Sequence, residues 1–184
     1  MEKTNKFVSI DANSTSIAFA VWSNDNLTSY GKISWAGKTN YEKVQQASKV
    51  VRDFFNYYGD MDTVVIEHTV FMNSPKTAAD LALVQGAILG AMSISGVREI
   101  KSTNPIAWQT FIKNGRLTTP EKQLIRNENP GKSDAWYKNK EREFRKLRTI
   151  SFVNKRYGKD ISDNDVADAV GIGHYAIFNW EKLG

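Results

Sequence analysis

Two stretches of this chain end in the same way. Phe7-Val8-Ser9-Ile10-Asp11 and Asp62-Thr63-Val64-Val65-Ile66-Glu67 are short runs of strand-forming residues, and each closes on a carboxylate. Their apolar density predicts strands buried on both faces, the mark of a sheet covered by helices on both sides. Acids at the ends of such strands lie at the rim of the sheet, where ligands and catalytic groups collect in α/β proteins. Asp11 and Glu67 are therefore the first candidate site residues. For Asp11 a plainer reading competes, in which the carboxylate caps the polar turn through Asn13 and Ser14.

The rest of the chain supplies the layers such a sheet needs. Ile17 to Trp22 reads as a second strand, Asn24-Asp25-Asn26 as a hairpin turn, and Leu27 to Trp35 as a third strand, which together make an antiparallel meander. Tyr41 to Tyr58 carries Val44, Ala47, Val50, Val51, Phe54 and Phe55 at helical spacing and stops at Gly59. Ala78 to Ser93 is a second helix, opened by Ser74-Pro75, with Gly86 and Gly90 four apart on one face. Those glycines predict close approach to the sheet or to a partner helix. Val97 to Lys101 is a further strand, and Pro105 starts a helical stretch whose apolar side holds Trp108, Phe111 and Ile112. Gly115 to Lys132 reads as a mobile basic loop or a pair of short helices. Ser133 to Tyr157 is a long charged helix with Trp136, Phe144, Leu147, Ile150 and Val153 as its apolar contacts. A last helix begins at Ser162 or Asp163 and runs to about Trp180.

That last helix brings two more acids. Asp165 and Asp168 are three residues apart and leave the same face, whereas Asp163 is better explained as a cap. His174 follows six residues later; a core or surface histidine is its main reading, with a proton-transfer role as the alternative. Asp11, Glu67, Asp165 and Asp168 make a set of four carboxylates that repels itself unless a divalent cation joins it. The chain has no cysteine and only two histidines, so thiolate zinc sites, disulfides and histidine-rich metal sites are excluded. Oxygen donors favour Mg²⁺ or Mn²⁺, and paired ions of that kind serve phosphoryl displacement.

Charge points to the substrate. The chain carries a net +5, but Lys113 to Asp160 alone holds 14 lysines and arginines against 6 acids, a local +8; the remainder has 11 against 14 and nets −3. A basic segment beside an acidic remainder predicts a polyanion bound on one face. Lys138, Lys140, Arg142, Arg145, Lys146 and Arg148, on or near one helix, are the expected phosphate contacts. No apolar run is expected to reach membrane-span length and no signal peptide is visible, so the protein is expected in the cytoplasm of a bacterial or phage-infected cell. One domain of ordinary size is expected over residues 1–184, with a basic helical insertion at about 115–159.

Ile10-Asp11 with its polar loop, Val65-Ile66-Glu67-His68-Thr69-Val70-Phe71-Met72, the helix containing Leu81-Ala82-Leu83-Val84-Gln85-Gly86, and Asp165-Val166-Ala167-Asp168-Ala169-Val170 resemble, in order and spacing, the RuvC family of Holliday junction resolvases of bacterial or phage type. The four-acid pattern is shared with the wider RNase H-like superfamily. The resemblance implies an α/β, RNase H-like fold with a mixed five-stranded sheet flanked by helices. It also implies a homodimer that nicks four-way DNA junctions symmetrically, two Mg²⁺ ions held by Asp11, Glu67, Asp165 and Asp168, and a junction contact by Phe71. Two departures stand out: the Glu67 to Phe71 step is one residue longer than the family's, and Gly115 to Lys159 is longer and more basic. Three alternatives compete: a broader flap and branched-DNA endonuclease of the same fold, a junction-binding protein without catalysis, and the phosphate loop of an actin-like ATPase at Asp11 to Ser16. The last needs two such domains around a nucleotide, so no nucleotide cofactor is expected.

Overall fold

A computed structural model describes residues 6–59, 61–68 and 74–184. Its strands are β1 (Lys6–Ala12), β2 (Ser16–Ser23), β3 (Asn26–Ser34), β4 (Thr63–Glu67) and β5 (Glu99–Thr103), and its helices are α1 (Asn40–Tyr58), α2 (Pro75–Ile94), α3 (Pro105–Phe111), α4 (Thr119–Glu128), α5 (Asp134–Tyr157) and α6 (Asn164–Phe178). The strands form one mixed sheet in the order β3-β2-β1-β4-β5, antiparallel through the meander and parallel from β1 to β4 and β4 to β5. This is the expected five-stranded sheet flanked by helices. The expected strand from Val97 starts later, because Val97 N–H turns back to the Met92 carbonyl and pairing begins at Glu99.

Alternation along the strands sorts side chains between two cores. Val8, Ile10, Ile17, Phe19, Val21 and Val64 face α1 and α2. Phe7, Ala18, Ala20, Trp22 and Val65 face α6. Asp11 continues the Phe7-Ser9 series and Glu67 continues from Val65, so both acids lie on the α6 side. The parallel register Ile10 to Ile66 puts them at the same level of neighbouring strands.

The α6 layer lies unusually close to the sheet. A Cβ at Gly173 would collide with the Trp22 indole and lie 2.5 Å from Ser9 Oγ, and one at Gly171 would lie 2.8 Å from the Trp108 ring. Buried Ser9 occupies that gap: its hydroxyl donates to the Ala169 carbonyl at 2.7 Å and accepts from Trp22 Nε1 at 2.9 Å. Two glycines and a bridging hydroxyl thus fix the depth of α6, and with it the position of its amino-terminal acids.

Gly115 to Lys132, expected as a basic loop or a pair of short helices, holds one short helix, α4, and the long charged helix expected from Ser133 to Tyr157 is α5. Glu121 accepts from Thr118 N–H at 2.7 Å and from its hydroxyl at 2.9 Å, and Pro120 sits in the first turn. In α5, Val153 and Tyr137 are buried, whereas the expected contacts Phe144 and Leu147 are exposed, with Arg148 stacked over the Phe144 ring at 4.8 Å. The expectation that no stretch reaches membrane-span length is corrected by α2, whose 20 residues are apolar enough to span by length and composition. Its Val84, Ile88, Ala91 and Met92 are instead packed into the α1-side core.

Candidate active site

The turn after β1 is closed by Asn13, whose side-chain oxygen accepts from Thr15 N–H at 2.9 Å, so Asp11 is not its cap. Asp11 is held at the rim with a pKa raised well above the usual carboxylate value. Burial is the main cause, followed by the negative fields of Asp168, Glu67 and Asp165. Asp168 is pushed up to about 7, again first by burial and then by Glu67, against the Thr149 hydrogen bond and the Lys146 charge that favour its ionised form. Glu67 is raised by burial, opposed by a 2.6 Å hydrogen bond from Trp108 Nε1. The structure thus brings three of the four carboxylates, all half-buried, to one rim, each disfavoured in its charged form.

Asp165 is held differently. Asp163 caps α6 as expected, accepting from Asp165 N–H at 2.8 Å and Val166 N–H at 3.2 Å. Lys32, on β3, reaches across to donate to Asp165 at 2.5 Å and to Asp163 at 3.2 Å. Asn164 Nδ2 takes the other Asp165 oxygen at 2.5 Å. Among the described residues, no three acids or histidines come close enough together to hold an ion. The donor chemistry nevertheless fits a hard divalent cation, because Asp11 and Asp168 are half-buried, oxygen-only and mutually repelling.

The basic residues divide by helical face. Arg142, Arg145 and Lys146 line a cavity of about 180 Å³ whose wall also includes Asp168, Thr149, Gln109 and Asn114. A second depression runs on along Lys138, Arg142 and Arg145 of α5 to Lys122 of α4 and Arg116. Residues 138, 142, 145 and 149 follow the i, i+3, i+4 spacing of one face. Lys140 and Arg148 lie off it: Lys140 pairs with Glu143 at 3.0 Å, and Arg148 is ion-paired with Glu121. The Glu121 carboxyl is held down at about 2, first by the Thr118 backbone and then by Arg148. Phe71 lies outside the described residues.

Sequence reasoning missed Lys32, Trp108, Thr149, Arg116 and Lys122 as site residues. For Lys32 a signal existed: it opposes Ala18 and Ala18 opposes Asp11 across neighbouring strands, so all three share a face. Trp108 gave no such signal, because its ring packs at Gly171 while only its N–H reaches Glu67. His174 is core, 6% exposed, ringed by Phe111, Phe152, Tyr157 and Phe178, with Nδ1 2.6 Å from the Tyr157 hydroxyl.

This sheet order, with acids on adjacent parallel strands and on a helix crossing the same face, defines an RNase H-like fold. Neither a protein-family model nor a curated protein sequence matches the chain. Among solved structures it is similar to Thermus thermophilus RuvC in complex with a Holliday junction substrate, at TM-score 0.68 and 14% identity over 97% of this chain and 96% of that one. It is also similar to T. thermophilus RuvC in a second structure, at TM-score 0.66 and 14% identity over the same shares. The yeast mitochondrial Holliday junction resolvase Ydc2 matches at TM-score 0.51 and 9% identity, over 95% of this chain and 78% of that one. The fold is that of RuvC.

Proposed function

We propose that this protein is a divalent-metal-dependent endonuclease that resolves four-way DNA junctions by paired nicks. The observation that carries the reading is the meeting of half-buried Asp11, Glu67 and Asp168 at one rim of the sheet, beside a cavity rimmed by Arg142, Arg145 and Lys146. Asp11, Glu67, Asp165 and Asp168 would hold two Mg²⁺, with Mn²⁺ as a substitute; such ions supply activation of the attacking water and stabilisation of the departing oxygen. The chain's own groups set the rest. Trp108 fixes one oxygen of Glu67, and Thr149, itself anchored by Asn114 Nδ2 at 2.8 Å, orients Asp168. Arg142, Arg145 and Lys146 neutralise the phosphates flanking the scissile bond, and Lys138, Lys122 and Arg116 carry the strand onward. Water attacking phosphorus in line, opposite the 3′ oxygen, would break the P–O3′ bond; the oxygen leaves as a 3′-hydroxyl after taking a proton, and the phosphate stays on the 5′ end.

A two-fold substrate with two opposed cuts calls for a two-fold enzyme, and α2 offers the surface. Leu83 is 44% exposed and Ile94 83%, and a Cβ at Gly86 or Gly90 would meet no described atom within 4 Å. Those glycines do not serve close approach to this chain's own sheet, which leaves a second copy of α2 as their expected neighbour. Light scattering with and without junction DNA tests it; a monomer under both conditions contradicts the dimer.

Activity is tested by incubating mobile and immobile four-way junctions with Mg²⁺ and mapping products on all four strands. Symmetrically paired nicks on opposed strands are expected. Equal rates on flaps and forks would favour the broader branched-DNA nuclease, and no cleavage with Mg²⁺ or Mn²⁺ would overturn the reading.

A further inference from the structure

Lys32 is a residue that catalysis as described above does not use. It sits on the outermost strand of the meander, yet its ammonium points inward over the sheet to the amino-terminus of α6, where it bonds two carboxylates at once. It carries more than the usual surface pair. Its own pKa is raised, chiefly by the Asp165 hydrogen bond, and its field opposes the rise of the Asp11 pKa. Asp163, its exposed second partner, is held low, against partial desolvation, by the Val166 backbone N–H and by Lys32.

The geometry assigns a cost and a benefit. Four carboxylates gathered at one rim repel one another, and folding without a cation must bear that repulsion. A lysine ammonium is a compact point charge with three donors on a flexible stem, well suited to stand where a cation is needed and to leave when a stronger one arrives. Here it bridges Asp165 and Asp163, and among the described residues the acids do not converge into an ion-holding group.

We propose that Lys32 is an internal stand-in cation that holds Asp165 until a divalent ion displaces it, and so sets the metal concentration at which the carboxylate centre loads. The proposal rests on the reading of Asp11, Glu67, Asp165 and Asp168 as metal ligands. Lys32 acts as a positioning residue through Asp165. A purely structural ion pair would behave otherwise: its loss would lower stability slightly and leave metal affinity unmoved.

The test is Mn²⁺ binding to the full chain without DNA, by titration calorimetry and by loss of the free-ion paramagnetic resonance signal. It compares the wild type with Lys32→Gln, Lys32→Thr and Lys32→Arg. Threonine suits an edge strand and guards against a folding artefact of the glutamine variant. Both neutral variants should bind Mn²⁺ more tightly, on the order of 3- to 10-fold, while melting at a lower temperature than wild type when metal-free. Lys32→Arg, which keeps the charge, should stay near wild type in both. Metal binding seen only in the neutral variants would support the proposal in its strongest form. Equal affinity in all four proteins overturns it and leaves the metal reading intact. No Mn²⁺ bound by any of the four removes the metal reading itself, and the proposal with it.

Discussion

The two faces of the sheet are built on different rules. Against α1 and α2 the core is mainly hydrocarbon, with Val8, Ile10, Phe19, Val51, Phe54 and Ile88 at its centre and the polar ends of Trp35 and Tyr58 bonded to Ser14 and Ser29. Against α6 it is threaded with polar groups: Ser9 bridges Trp22 and the Ala169 carbonyl, His174 meets Tyr157, and Asn114 meets Thr149. The first face holds the sheet together by area, and tolerates volume-conserving change. The second must hold α6 at one depth and one rotation, because Asp165 and Asp168 ride on it, and hydrogen bonds of fixed length set position where dispersion alone would not. The difference teaches where catalysis would be lost first.

Paired substitutions break or sharpen that contrast. Ile88→Ala, on the hydrocarbon face, should cost about 2–5 kcal/mol in denaturant unfolding while cleavage by the folded fraction stays near wild type. Gly173→Ala should cost about 1–3 kcal/mol by overpacking against Trp22 and Ser9, yet reduce cleavage per folded molecule far more than Ile88→Ala does. Equal specific activities of the two variants would mean that α6 depth does not matter.

The polar face should also respond to pH in two opposed ways. Burial, aided by Arg156, holds His174 down at about 4, below its ordinary 6.5, so the neutral ring favours the fold above pH 6.5. That contribution, on the order of 2 kcal/mol, is lost as pH falls toward 4. Asp168 has the opposite sign: with its carboxyl raised to about 7, the metal-free fold loses stability as pH rises from about 4 through 7. Thermal melts in chelator across pH 4–8 should show the acid limb flattened by His174→Asn and the neutral limb flattened by Asp168→Asn. Ile88→Val should leave the shape of the profile unchanged.

The smallest expected effect is on DNA affinity. Replacing Arg142, Arg145 and Lys146 together by glutamine should lower the slope of log affinity against log salt by about 3. Neutralising Lys140 and Arg148, which are already paired with Glu143 and Glu121, should change it by less than about 1. Equal slopes for the two variants would erase the distinction between the faces of α5.

The hydrocarbon face was legible in the sequence because its pattern is direct: the apolar density of β1 and the helical spacing in α1 each report burial. The acids were legible as candidates because Asp11 and Glu67 end apolar strands and Asp165 and Asp168 share a helical face. What held them was not. Ser9, Gly171 and Gly173 look unremarkable until β2 brings Trp22, and α3 brings Trp108, against α6. Lys32 becomes visible only once the hairpin register aligns it with Asp11. The exposed Phe144 and Leu147 misled for the reverse reason, since apolar residues on a long charged helix follow helical spacing whether or not another layer covers them. The capping box at Thr118 and Glu121 that starts α4 went unread, because the charges and turn residues around it read as a loop or a pair of short helices.

Replacing Asp168 by asparagine tests the carboxylate centre most directly, because size and helix are kept while a negative oxygen is removed. On a four-way junction with Mg²⁺, cleavage should fall by orders of magnitude while junction affinity is retained or rises, since one repulsion of the phosphates is gone. Full cleavage by Asp168→Asn, in a protein that melts as the wild type does, would contradict the account.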